Sequence, residues 1–238
     1  KASLVSRQVS DLVSSAPFLM NATSPYRVSS ESRAVVAQVE TLLETMAPDQ
    51  QGAPMQGAGA RRIIGLLEDI EAQTLALAAN ADAAQGHKAE AAVALGEIAT
   101  ARTIQDQDLR QRLNGIAQSA STSDSLFQLG ELQRRFVAET TVRMLVPGPN
   151  LRVSPEQLDP YRRIFEAQTR YLLEMFTIRA SVSRLHTVSR DLSHATETQS
   201  AFVASALNQN LEATSSALRQ LLVMIVLASF AVVILAIL

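Results

Sequence analysis

The sequence predicts an all-α protein: two stacked antiparallel four-helix bundles sharing two long helices, the last of which continues into a transmembrane helix. Three observations carry this. No glycine follows Gly148 and no proline follows Pro160, so nothing interrupts a helix in the last part of the chain. From Leu221 to Leu238 every residue is apolar except Ser229. Aromatic residues make up only 4% of a chain that is 47% apolar, a balance that favours helical bundles over sheets.

The elements follow in order. Ala2 to Ala22 reads as a first helix, with Leu4, Val5, Leu12, Val13, Ala16 and Leu19 on one face and Pro17 as a kink or break. Ser24-Pro25 marks a turn and a new start. A second helix from about Ser29 to Ala47 carries Val35, Val36, Val39, Leu42, Leu43 and Met46 as its apolar stripe. Pro48 to Gly59 holds two prolines and three glycines and is the clearest loop. A third helix starts near Ala60, with Ile63, Ile64, Leu67, Ile70, Leu75 and Leu77 on its core face. From Ala76 to Ala101 it turns Ala-rich, with Gly86 and Gly96 inside. Such small residues allow close helix approach, but each glycine costs helix stability.

Thr103-Ile104-Gln105-Asp106 resembles a capping pattern and places the next turn near Thr103. A fourth helix runs from about Gln105 to Ala120, and Ser121 to Asp124 is a polar break. A fifth covers Ser125 to Val146 and is stopped by Pro147-Gly148-Pro149-Asn150. The sixth has a complete start signal: Ser154 as N-cap, Pro155 at the first helical position and Gln157 three residues after the cap. The third helix, at roughly 65 Å, outlasts the first two. Those two therefore flank one end of the long pair, and the fourth and fifth flank the other.

The sixth helix carries a seam at alternating three and four spacing: Tyr161, Ile164, Gln168, Tyr171, Met175, Ile178, Val182, Leu185. It resumes as Val188, Leu192, Ala195, Gln199, Phe202, Ala206, Gln209 and Ala213. Two threes in succession at Val182, Leu185 and Val188 form a stammer, which rotates the buried face. We expect it to mark the passage between bundles. Val182, Leu185, Val188, Leu192, Gln199, Phe202 and Gln209 are then the residues that transmit a shift along the helix.

Residues 1–217 are read as a helical domain in water and 218–238 as a membrane span, whose apolar run has a length within the spanning range. The chain opens on Lys1 and stops with that run, so a piece of a longer protein is expected, and the missing flanks leave its orientation unread. A net charge of -2 gives no reason to expect nucleic acid as a partner. Without cysteine there are neither disulfides nor thiolate metal sites.

No catalytic constellation stands out, and no metal or other cofactor is implied. His186 and His194 share a helix face but lie about 12 Å apart, too far for one metal ion, and His87 is remote in sequence. Arginines are paired at Arg61-Arg62, Arg134-Arg135 and Arg162-Arg163, most simply as solvated helix faces. Arg162 and Arg163, with Tyr161 beside them and Arg152 in the preceding loop, place positive charge near the tip opposite the span. They are the candidate partner-binding residues, suited to an anion or an acidic surface.

Several stretches together resemble the periplasmic sensor region of membrane-bound hybrid histidine kinases of the TorS type. They are Leu12-Val13-Ser14-Ser15-Ala16-Pro17 with Ala22-Thr23-Ser24, Leu126-Phe127-Gln128-Leu129, Ile164-Phe165-Glu166-Ala167-Gln168, and the run Ala180 to Gln199. The resemblance implies a homodimer in the bacterial inner membrane with its sensor domain in the periplasm. It further implies a span leading to a HAMP module and a kinase core, and detection of the stimulus through a periplasmic binding protein docked on the sensor. This part of the protein is then non-catalytic and serves two-component signal transduction. The rivals are the ligand-binding domain of a methyl-accepting chemoreceptor and a structural membrane-tethered coiled coil.

Overall fold

The computed structural model describes residue 9 and residues 25–46, 58–101, 104–145 and 153–237, with the side chains of 142–145, 221, 223 and 225–237 outside that set. Every regular element among the described residues is an α-helix. They are α1 (Pro25–Met46), α2 (Ala58–Thr100), α3 (Gln107–Ser121), α4 (Leu126–Leu145) and α5 (Pro155–Ile237). The helix expected over Ala2–Ala22 lies outside the described residues, except for Val9, which is helical and buried. The loop expected over 48–59 lies outside them up to residue 57.

Local chemistry sets the helix starts. Pro25 opens α1 four residues before the expected start, because its fixed φ is already helical and its missing N–H is an orphan at a first turn. The start of α3 is capped by Asp106, whose Oδ1 accepts from Leu109 N at 3.0 Å. The cap therefore belongs to Asp106 rather than Thr103. The expected box at α5 is present and reciprocal. Gln157 N donates to Ser154 Oγ at 3.3 Å, and Ser154 N donates to Gln157 Oε1 at 2.8 Å.

α2 and α5 form an antiparallel spine. Glu97 meets Arg163, Lys88 lies over Tyr171, and Gly59 approaches Gln199, so one number rises as the other falls. Gln199 Oε1 occupies the place a Cβ on Gly59 would take, but it is the tip of a flexible side chain that can move aside. Nor do Gly86 and Gly96 serve close approach: an added Cβ at either would meet nothing within 4 Å. Close packing in the Ala-rich half comes instead from Ala81, Ala84, Ala91 and Ala94, all buried.

Buried apolar side chains fall into two clusters along this spine. The first joins Val9, α1 (Val28, Val35, Val39, Leu42), the first half of α2 (Ile63 to Ala84) and Ile178 to Leu192 of α5. The second joins the end of α2 (Ala94, Ile98), α3 (Leu109, Leu113, Ala117), α4 (Leu129, Phe136) and Leu158 to Leu172 of α5. Tyr171, partly buried, packs against both.

The α5 seam differs from expectation in two ways. The passage between clusters lies between Leu172 and Ile178, not at Val182 to Val188. The stammer is also absent: beyond Leu185 the buried positions are Ser189, Leu192 and Thr196, continuing the alternation of threes and fours. Reading the seam by hydrophobicity selected Val188, which is partly buried, over its smaller neighbour Ser189, which is 3% exposed. After Gln199 burial fades. Phe202 is 69% exposed and Gln209 is exposed, so within this chain neither packs in the core.

Some polar groups are carried inside the first cluster. Thr74 and Thr196 return their hydroxyl protons to Ile70 O and Leu192 O, which satisfies them within their own helices. Ser32 Oγ and Gln73 Oε1 are buried without a partner.

Candidate functional site

The expected tip residues have different fates. Arg152 lies outside the described residues. Tyr161 is 4% exposed and part of the second cluster, its ring stacked on Phe136 at 5.9 Å between centroids. Its hydroxyl donates to Asn114 Oδ1 at 2.7 Å, fastening α5 to α3. Burial raises the phenol pKa above its ordinary value, with Arg110 pulling more weakly the other way.

Arg163 bonds Glu97 on α2 through both terminal nitrogens, and its Nε lies 3.2 Å from Asp159 Oδ2. That Nε has no hydrogen-bond partner, so the Asp159 contact is an attraction at close range, off the hydrogen-bond direction. The hydrogen bond to Glu97 raises the guanidinium pKa further. Arg163 is therefore engaged inside the chain, and Arg162, exposed, is the arginine of this pair that faces water. Of the other pairs, Arg134 meets Glu131 at 2.7 Å one turn away. His87 and His194 sit 3.7 Å from Glu90 and Glu197, each within its own helix. No group of three His, Asp or Glu among the described residues is placed to hold a metal ion.

The structure draws attention elsewhere, to a half-open groove of about 360 Å³ at the junction of the two clusters. Its walls come from the middle of α2, the α3–α4 turn and α5 between Gln168 and Arg179. The turn is held by Gln168, 3% exposed, whose Nε2 donates to Ser123 O at 2.6 Å. Lys88 Nζ sits 5.6 Å from the centre of the Tyr171 ring, within cation–π range. Arg179 and the turn residues Ser121 to Asp124 also line it, and Leu172, Met175 and Phe176 supply apolar surface.

Sequence places Gln168, Tyr171 and Met175 in the α5 seam but does not single out the groove, although one signal for it is present. Buried residues of α2 recur at 60, 63, 67, 70, 74, 77, 81 and 84, and again at 91, 94 and 98. The position that the spacing requires between Ala84 and Ala91 is Lys88. A long cation in a core register is the mark of a core that opens there.

The helix expected to cross a membrane, 218–238, falls mostly on residues whose side chains are outside the described set, though the α5 backbone is helical to Ile237. Among the described residues, no helix is long and apolar enough to cross a membrane. Comparison of the chain with protein families, with curated proteins and with solved structures gives no match.

Proposed function

We propose that this chain is the extracytoplasmic sensor domain of a two-component histidine kinase, resembling the TorS type, built as two stacked bundles sharing α2 and α5. The observation that carries the reading is the continuity of α5. One helix of 83 residues, about 125 Å at helical rise, contributes to both clusters and runs on beyond them. A packing change in the second cluster acts on the same rod that leaves the first.

In this reading the apolar run Leu221–Leu238 anchors the domain in the bacterial inner membrane, with the bundles in the periplasm. A binding-protein partner docks on the second cluster, which lies farther from that anchor, and favours one packing of the helices. The effect equals the partner's difference in affinity for the two packings, so a partner that binds both equally shifts nothing. The described chain catalyses nothing itself; its work is transmission. Homodimerisation finds support in the exposed apolar residues of α5 past the clusters, Phe202, Leu207, Leu211 and Leu218.

The test is helical phase. Inserting one to four residues after Leu185 in the full-length protein rotates everything downstream by about 100° per residue. Signalling output is expected to vary with the phase of the insertion. Output that stays the same for every insertion removes rigid transmission through α5.

A further inference from the structure

We propose that the groove at the junction of the two clusters binds a small zwitterion with an apolar side group, of the α-amino-acid class. The argument starts from Lys88. It stands in a core register of α2, where the neighbouring positions in that register are buried, and its ammonium lies against the Tyr171 ring instead of a carboxylate. Arg179, another lining residue, has no ion pair among the described residues. Two cations thus border one small groove without an internal counter-charge from the spine, which suits a ligand carboxylate.

The α3–α4 turn has the opposite character. Asp124 is exposed and makes no ion pair among the described residues. The hydroxyls beside it have already given their protons away. Ser121 Oγ donates to Gln118 O at 2.8 Å, and Thr122 Oγ1 lies 3.2 and 3.3 Å from Gln118 O and Ser119 O. What these side chains have left to offer is lone pairs. A carboxylate with two oxygen acceptors beside it suits a ligand ammonium, and it is a poor neighbour for a second anion. Gln168 Nε2 already gives one of its two protons to Ser123 O.

The lining also holds Leu172, Met175 and Phe176, the last 52% exposed. That surface would gain from covering by an apolar side group. The volume, about 360 Å³, is at the small end of the range of about 300–1,000 Å³ for ligand sites, which fits one small molecule and not a peptide. This inference goes beyond transmission through α5 and does not rest on the membrane anchor or on a docked partner. A ligand here would touch both clusters at their seam.

Isothermal titration of the full chain in detergent micelles tests it, with L-leucine as the probe. Leucinamide, which lacks the carboxylate, and 4-methylpentanoate, which lacks the ammonium, are the comparisons. Saturable binding of leucine is expected, weakened about tenfold or more in either analogue, since each loses a charge-assisted contact. Lys88→Gln, Arg179→Gln and Asp124→Asn alter exposed side chains and are each expected to weaken leucine about tenfold with unchanged helix content by circular dichroism. Three results overturn the proposal: no binding up to about 10 mM leucine, binding of 4-methylpentanoate as tight as leucine, or wild-type affinity in all three variants. The second would mark a simple anion site. Because the readout is binding, it stands apart from the phase test of signalling.

Discussion

Replacing Gln168 by leucine tests what holds the junction together. Its Nε2 donates to Ser123 O at 2.6 Å, with the two residues 3% and 7% exposed. Leucine fills nearly the same space but removes the donor, leaving the Ser123 carbonyl buried without that bond. An unpaired buried group of this kind costs about 1–3 kcal/mol, and the more favourable burial of leucine offsets part of it. We expect a net loss of about 1–2 kcal/mol, a factor of about 5–30 in the unfolding equilibrium. Urea denaturation followed by far-UV circular dichroism measures the total. Hydrogen exchange locates it, with the largest loss of protection expected around the α3–α4 turn. Gln168→Glu sharpens the argument, since only a protonated carboxyl can donate to Ser123 O. Its loss should shrink as the pH is lowered. A leucine variant as stable as the parent, within about 0.3 kcal/mol, would mean that the turn is held by apolar packing alone.

Other outcomes follow from the same contacts. Tyr161→Phe removes the hydroxyl bond to Asn114 and should cost about 1 kcal/mol near neutral pH by thermal denaturation. The buried phenol also ionises later than the unfolded one, so its contribution is complete below about pH 10 and declines as pH rises beyond that, where the unfolded chain gives up its proton first. The phenylalanine variant should lack that alkaline component, which comparison of stability at pH 9 and pH 11 reads directly. Ser189→Leu should destabilise by about 1–3 kcal/mol through overpacking, while Val188→Leu is tolerated; the reverse order would restore the stammer. Gly86→Ala with Gly96→Ala should stabilise by about 1–2 kcal/mol together, because both face open space on a long helix, and no gain would show a contact at one of them.

What sequence revealed and what it concealed divide along a physical line. The start of α5 was legible from a short-range signal: Ser154-Pro155 with Gln157 is present as expected, whereas α1 begins at Pro25 and the α3 cap is Asp106. Among the described residues, the number of helices past residue 24 and the greater length of α2 and α5 were legible from periodicity. The exact seam was not, because hydrophobicity ranks Val188 above Ser189 while antiparallel packing rewards small side chains at close approach. Tyr161 carried two expectations, a seam position and a partner contact at the tip, and its ring, packed on Phe136 with its hydroxyl on Asn114 of α3, fits the seam position. Lys88 was legible in principle, since the α2 register demanded a core residue there. It was passed over because an isolated lysine carries no chemical motif.

The unbroken alternation of threes and fours along α5 has a mechanical consequence. From Tyr161 to Val203 the inward positions recur every seven residues, or 3.5 per turn, against 3.6 for a straight helix. To keep that face inward, α5 must wind left-handedly about its neighbours. Over about 63 Å, with a pitch near 150 Å, this amounts to about 150° of winding. Such a rod is threaded like a screw in its nut: sliding it lengthwise also turns it, and a push delivered at one end arrives at the other as a twist.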